Sequence, residues 1–232
     1  MAQVPVAERK RPLPELAEGG TTARSETPSS PWGSIVFETP WFRVEAVPDR
    51  DGSMERPYYR LISGEGVVAL PITDAGEVVL VQQYRPALGA TTVEFPAGGR
   101  EPHETECQAA ARETWEESGY LCDFWVPLAP GRMFLNRTDH RDYFVLGLGA
   151  RRDAAWRAHH DEATEPYLLT RERFVERVRA DMFEHTAALA AFTLAEVKFD
   201  VRLLTDPMPK LREALAPLGQ RIQLARQLEG AA

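Results

Sequence analysis

Cysteine is scarce in this chain. Cys107 and Cys122 are the only two, and no Cys-x-x-Cys spacing occurs. A zinc knuckle or a disulfide framework needs more thiols at closer spacing, so neither is expected, and two isolated thiols fit a reducing cytosol. Positive charge is also in deficit. Lys and Arg number 27 against 35 Asp and Glu, a formal net charge of −8. No basic surplus is left to displace counterions from a nucleic-acid backbone, which is therefore not the expected partner. No apolar run approaches the roughly 18 residues of a membrane helix, and no apolar stretch near the first residue reads as a secretory leader. The expectation is a cytoplasmic protein without a membrane partner. The five histidines form no cluster: His103, His159 and His160 stand beside acids and read as solvated or helix-end residues.

What is present is enough apolar chain for one sizeable core, 44% of 232 residues. Residues 1–31 are rich in proline, glycine and charge and poor in large apolar side chains, and read as a disordered tail. From Trp32 the pattern changes to short β-branched and aromatic runs, Ser34–Glu38, Trp41–Val47 and Tyr58–Ile62, which predict a small N-terminal antiparallel β-region over 32–66. Val67–Ile72 and Val78–Val81 flank Asp74-Ala75-Gly76 and read as a hairpin. Further strands are expected at Val93–Phe95, Leu121–Leu128, Asp142–Leu148 and Tyr167–Leu169. Helices are expected after Pro102, which suits a first turn, from Arg171 to Ala180 behind a Thr170 cap, and over the apolar stretch Ala187–Val197. The 67–200 stretch reads as the main domain. In the 201–232 extension, Leu211, Leu215, Leu218, Ile222 and Ala225 keep a helical spacing that Pro217 and Gly219 break, so two short helices are expected there.

The informative segment is Gly98 to Tyr120, GGREPHETECQAAARETWEESGY. On a helical wheel Cys107, Ala110, Ala111 and Thr114 form one stripe, which should face the core. Glu113, Glu116 and Glu117 fall on a different face. Like charges at these spacings cost a helix about a few tenths of a kcal/mol per pair, which a cation would offset. Oxygen donors without His or Cys select hard ions, Mg²⁺ or Mn²⁺. The wheel alone leaves a solvated acidic face as the alternative.

The spacing resembles the Nudix box, G-x5-E-x7-R-E-U-x-E-E-x-G-U with U a large apolar residue. Gly98, Glu104, Arg112, Glu113, Glu116, Glu117 and Gly119 fall in place, and Thr114 departs where an aliphatic residue is usual. The resemblance implies an α+β chain with the Nudix fold, an α/β/α sandwich on a mixed sheet. It also implies metal ligation by Glu113, Glu116, Glu117 and the Ala97 carbonyl. Arg112 is similar to the family's structural arginine, within reach of Glu116, and Glu104 to its partner or to an outer-sphere acid. Glu106 projects toward the acidic face outside the motif.

Gln82-Gln83-Tyr84-Arg85-Pro86 and Glu94-Phe95-Pro96-Ala97-Gly98-Gly99 resemble the ADP-ribose pyrophosphatase branch of that family. In that branch Arg85 would hold phosphates and Glu94 would touch ligand or metal. A surface ion pair and a loop brace are the respective alternatives. Arg132, Arg137 and Arg141, in the less typical stretch after Ala129-Pro130-Gly131, are further candidates for phosphate, with a solvent-facing arginine the alternative for each. The loop Asp161-Glu162-Ala163-Thr164-Glu165 resembles the family's acidic loop, with Glu162 the first choice for general base and Glu165 the second. The implied reaction is hydrolysis of ADP-ribose or a related nucleoside diphosphate sugar. A GDP- or UDP-sugar is the rival substrate and a non-catalytic ligand sensor the rival class. The aromatic N-terminal strands are similar to the region through which such enzymes form homodimers.

Overall fold

The protein is described by a computed structural model covering residues 32–157 and 164–222. Three antiparallel strands come first, β1 (Ser34–Glu38), β2 (Arg43–Val47) and β3 (Tyr58–Ile62), and they pair in chain order as a sheet of their own. The larger sheet contains β4 (Glu65–Thr73), β5 (Glu77–Arg85), β6 (Ala90–Glu94), β7 (Ala97–Gly99), β8 (Tyr120–Leu121), β9 (Phe124–Gly131), β10 (Arg141–Arg152) and β11 (Thr164–Thr170). Its central path runs β11-β5-β4-β10-β8, with β6 on β5, β7 on β4 and β9 on β10. The β4–β10 pair is parallel and the other pairs antiparallel, so the sheet is mixed as expected.

Period-2 alternation sorts the strands onto two cores. Val67, Ala69, Val79 and Val145 face α1 (Glu106–Ser118), whose stripe of Cys107, Ala110 and Ala111 is buried against them. Val68, Leu70, Ile72, Leu80 and Leu146 face the opposite way. There they meet α2 (Arg171–Arg179) through Phe174, α3 (Thr186–Phe199) through Ala188 and Ala191, and α4 (Met208–Leu215) through Leu211 and Leu215. Helices on both faces of one sheet give the α/β/α sandwich.

Several expected boundaries move. Pro102 lies outside the helix it was expected to start. The sequence Thr105-Glu106-Cys107-Gln108 forms a capping box instead: the Thr105 hydroxyl accepts from the Gln108 N–H at 3.2 Å and the Gln108 side chain accepts from the Thr105 N–H at 2.9 Å. The run Leu121–Leu128 is divided between β8 and β9. Strand β7 lies in a segment with no apolar alternation and exists because Gly66–Val68 offers it a partner. Thr170 caps α2 by accepting from the Arg173 N–H, as expected. Beyond α4 the chain tightens into a 3₁₀ turn at Ala216–Leu218, where Pro217 denies an α-helical donor. Ala225 lies outside the described residues.

Candidate active site

Helix α1 carries the acidic face and ends at Gly119, which takes a left-handed conformation at φ 71° and returns its N–H to the Trp115 carbonyl. Glu116 and Glu117 therefore sit in the last turn, at the negative end of the helix dipole, and that turn holds no basic residue. Each acid there is disfavoured by about 0.3–1 kcal/mol. The arrangement persists because other groups answer the charge.

The first is Arg112. Its Nε and Nη2 donate to the two oxygens of Glu104 at 2.7 and 2.9 Å, a bidentate pair across the loop before the helix. Its Nη1 donates to Glu113 at 2.8 Å and to Glu116 at 3.0 Å, and Nη2 also reaches the Gly99 carbonyl at 2.8 Å. One guanidinium thus ties three carboxylates and the β7 strand together. The Arg112 fork holds the Glu104 carboxyl below its ordinary range, outweighing burial, and these acids keep Arg112 charged. Arg100 fastens the same loop: it donates to the Glu104 carbonyl at 2.6 Å and pairs with Glu65, which also accepts from Tyr143 at 3.0 Å.

The second is the strand end that faces the helix. Ala97 donates its N–H to Glu117 at 3.1 Å. A Cβ on Gly98 would come within 2.3 Å of the Glu113 carboxyl carbon, so glycine there leaves the space that carboxylate occupies. Glu113 and Glu117 are both 5% exposed, hardly a solvated surface. Thr164, at the start of β11, donates to the Glu117 carbonyl at 3.1 Å and brings that strand to the same end of α1.

Beside this cluster Arg85 and Glu94 form a two-point pair at 2.7 and 2.6 Å, with Thr92 donating to Glu94 at 2.5 Å. Burial pushes the Glu94 carboxyl up, but the Arg85 guanidinium and Thr92 hydroxyl hold it below the usual range. The Arg85 charge is reinforced by Glu94 first and, at longer range, by Glu117, which joins the pair to the helix electrostatically. Sequence reasoning passed over His185, between α2 and α3. Its Nδ1 accepts from the Phe95 N–H at 3.3 Å, and its ring stacks on Phe183. Burial lowers its basicity while Glu94 pulls the other way.

The other expected residues are dispersed. Arg132 is exposed and gives its Nη1 to the Asp139 carbonyl, where it braces its own loop. Glu165 is exposed, and strand alternation puts it on the face of β11 opposite Thr164. Glu106 starts α1, one position after the cap. His103 pairs with Glu101 at the surface. Glu162, His159 and His160 lie outside the described residues.

The donor chemistry fits a divalent cation. Glu94, Glu104, Glu113, Glu116 and Glu117 bring five carboxylates to Arg85 and Arg112, a formal excess of three negative charges (five minus two) supplied by oxygen alone. Among the described residues no three acidic, His or Cys side chains already stand in a cation cage. Glu113 and Glu116 are turned toward Arg112, and Glu117 toward the Ala97 N–H.

Comparison with known proteins bears on the family and the fold. A family model, the NUDIX domain, matches residues 63–204. A methanol dehydrogenase activator of Bacillus methanolicus is 31% identical over 49% of this chain and 62% of its own length. An ADP-ribose pyrophosphatase of Bacillus subtilis is 43% identical over 26% of this chain and 33% of its own. A mouse ADP-sugar pyrophosphatase is 51% identical over 18% and 20%. The matches thus span less than two thirds of each relative. A solved structure described as an ADP compounds hydrolase superposes with a TM-score of 0.60 at 19% identity, covering 72% of this chain and 91% of that one, a likeness of fold.

Proposed function

This chain belongs to the NUDIX domain family, and from that premise we propose that it hydrolyses the pyrophosphate bond of ADP-ribose or a related nucleoside diphosphate sugar. The products are a nucleoside monophosphate and a sugar phosphate. The observation that carries this reading is the nearly buried pair Glu113 and Glu117, held with Glu116 against Arg112 and the Ala97–Gly98 strand end. Such a concentration of carboxylate has no structural use that neutral side chains would not serve better. Similarity to an ADP-ribose pyrophosphatase and an ADP-sugar pyrophosphatase supports the adenosine diphosphate part of the reading.

In this proposal Glu113, Glu116, Glu117 and the Ala97 carbonyl hold Mg²⁺ or Mn²⁺. The bound ion supplies charge neutralisation at the diphosphate oxygens and an acidified water. Arg112 and Glu104 fix the ligands' orientation. Arg85 offers a planar cation to a phosphate, and Glu94 keeps that guanidinium aimed until substrate arrives. Glu162 is the proposed general base and Glu165 the alternative. The remaining assignments are a homodimer, a cytoplasmic location, and assembly through the 32–66 strands.

The test is a substrate screen with each ion, using ADP-ribose, GDP-mannose, UDP-glucose and NADH, read by product chromatography. ADP-ribose should lead and yield AMP plus ribose 5-phosphate. Glu116→Gln and Glu117→Gln should each lower turnover about a hundredfold or more while thermal unfolding stays within a few degrees. Near-normal turnover in both would overturn the metal assignment. Glu162→Gln should cost more turnover than Glu165→Gln, and the reverse order would move the base.

A further inference from the structure

A second constellation, outside the carboxylate cluster, lies where β3 hands over to β4. The Ser63 hydroxyl oxygen is 3.2 Å from His140 Nδ1, and His140 Nε2 is 2.9 Å from Asp142 Oδ1. Hydroxyl, imidazole and carboxylate stand in one hydrogen-bonded line. An ionised Asp142 only accepts, so it takes the Nε2 proton, and Nδ1 is left to receive the proton of Ser63. A nucleophile within reach of a base, and a base oriented by a third group, is the arrangement that activates a serine.

The line is built on fixed backbone. Leu61 of β3 donates its N–H to the Arg137 carbonyl at 2.7 Å, and Asp139 returns one to the Leu61 carbonyl at 3.1 Å. The Ser63 N–H reaches Asp139 Oδ1 at 3.2 Å, and the His140 N–H is held by the Thr138 hydroxyl at 3.0 Å. Asp142 pairs with Gly66 across the parallel β4–β10 ladder. A Cβ at Gly66 would fall 2.6 Å from Asp142 Oδ1 and 3.1 Å from His140 Nε2, so glycine there leaves room for the imidazole–carboxylate pair.

All three residues line one cavity of about 440 Å³, within the roughly 300–1,000 Å³ of small-molecule sites. The rest of its wall is largely apolar, from Leu61, Met133 and Phe134, with Arg137 contributing a cation. The Arg137 guanidinium rests over the Tyr58 ring at 4.9 Å. Met133 and Phe134 are exposed, so the cavity is open to a ligand from solvent.

We propose that Ser63, His140 and Asp142 form a second, metal-independent site that hydrolyses small carboxylic esters through an acyl-serine. Ser63 Oγ bonds to the ester carbonyl carbon while its proton passes to His140. The carbon–oxygen bond to the alcohol then breaks, and the alcohol leaves with that proton. A water gives a proton to His140 and its oxygen to the acyl carbon. The bond to Ser63 breaks, the proton returns to Ser63, and the carboxylic acid departs. Asp142 stays ionised and holds the imidazole throughout. Arg137 faces the negative charge that develops on the carbonyl oxygen. The apolar wall selects a short acyl or aryl group. Nothing in this reading depends on the diphosphate chemistry.

The experiment uses the full chain in excess EDTA with p-nitrophenyl acetate and butyrate. In parallel, a fluorophosphonate probe is applied and the modified peptide is located by mass spectrometry. The expected result is ester hydrolysis above the buffer rate and probe mass on Ser63. Ser63→Ala and His140→Gln should each lower the rate about a hundredfold, and Asp142→Asn should lower it at least tenfold. Any of three results overturns the proposal: no hydrolysis above buffer, probe mass on another residue, or an undiminished rate in Ser63→Ala. The labelling arm reads the unaltered protein, so a variant that fails to fold cannot rescue or sink the idea.

Discussion

Gly98 shows how one residue couples packing to chemistry. The place where its Cβ would stand is held by the Glu113 carboxylate, 2.3 Å away, and that carboxylate is fixed in turn by Arg112. Gly98→Ala must push the carboxylate off its position while leaving the apolar core alone. The expected outcome is a loss of turnover of about tenfold to a hundredfold with a small change in unfolding temperature, because misplacing a reacting group by about 1 Å is costly. Parallel kinetics and thermal unfolding check it, and a variant that loses stability but keeps turnover would refute it. Glu113, Glu116 and Glu117 were legible as one face because fixed spacing on a helix determines which side chains share it, and the other box positions through the family resemblance. The Arg85–Glu94 pair was named residue by residue, but its closure across β5 and β6 was not readable, since nine residues of separation say nothing of a strand register. His185 gave no signal at all; it reaches Phe95 only through the tertiary fold.

At the scale of elements, α1 depends on both its ends. Thr105 and Gln108 close the first turn, a Thr-x-x-Gln signature that was available in the sequence and outranks Pro102 as a start signal. Gly119 closes the last, and a Cβ there would meet the Trp156 ring at 2.6 Å as well as the left-handed backbone penalty. Gly119→Ala should therefore lose about 2–5 kcal/mol in denaturant unfolding, the left-handed cost of about 1–2 plus overpacking of about 1–3. A loss below about 0.5 kcal/mol would show that the cap is dispensable. The loop ahead of α1 depends on Glu65, whose carboxyl is held below its ordinary value of 4.5 chiefly by Arg100, against burial and with help from Tyr143. A depressed folded value stabilises the fold above pH 4.5 and is lost as pH falls through it. Glu65→Gln should thus unfold at lower temperature than the unaltered chain at pH 7, with the gap closing below about pH 4.5. A gap independent of pH would detach Glu65 from this role. Strand β7 stayed invisible in sequence because Ala97-Gly98-Gly99 has no strand propensity and pairs only where β4 is already in place.

For the whole molecule, large aromatic side chains lie exposed on and beside the three-stranded sheet. Trp32, Phe37, Trp41 and Tyr59 are each at least half exposed there, Trp41 at 81%. Aromatic surface of this kind concentrates at association sites. Among the described residues the backbone contacts from the larger sheet's side reach the three-stranded sheet at its edge, through the Leu61–Thr138 bridge and the Leu61 hydrogen bonds to Arg137 and Asp139. Pairing between two copies would cover it, and the family resemblance of the stretch carrying Trp32, Trp41, Tyr58 and Tyr59 implied the same region. The proposed homodimer predicts a mass near twice 26.0 kDa by light scattering at working concentration. Replacing both Phe37 and Trp41 by aspartate should shift the mass toward one chain, since a buried unpaired charge at an interface costs several kcal/mol. A monomer for the unaltered chain would remove the dimer outright. A dimer that survives the double replacement would place the interface elsewhere. If the monomeric variant also keeps its turnover of ADP-ribose, each copy's site is complete within one chain; if turnover falls with mass, the partner's strands form part of the site.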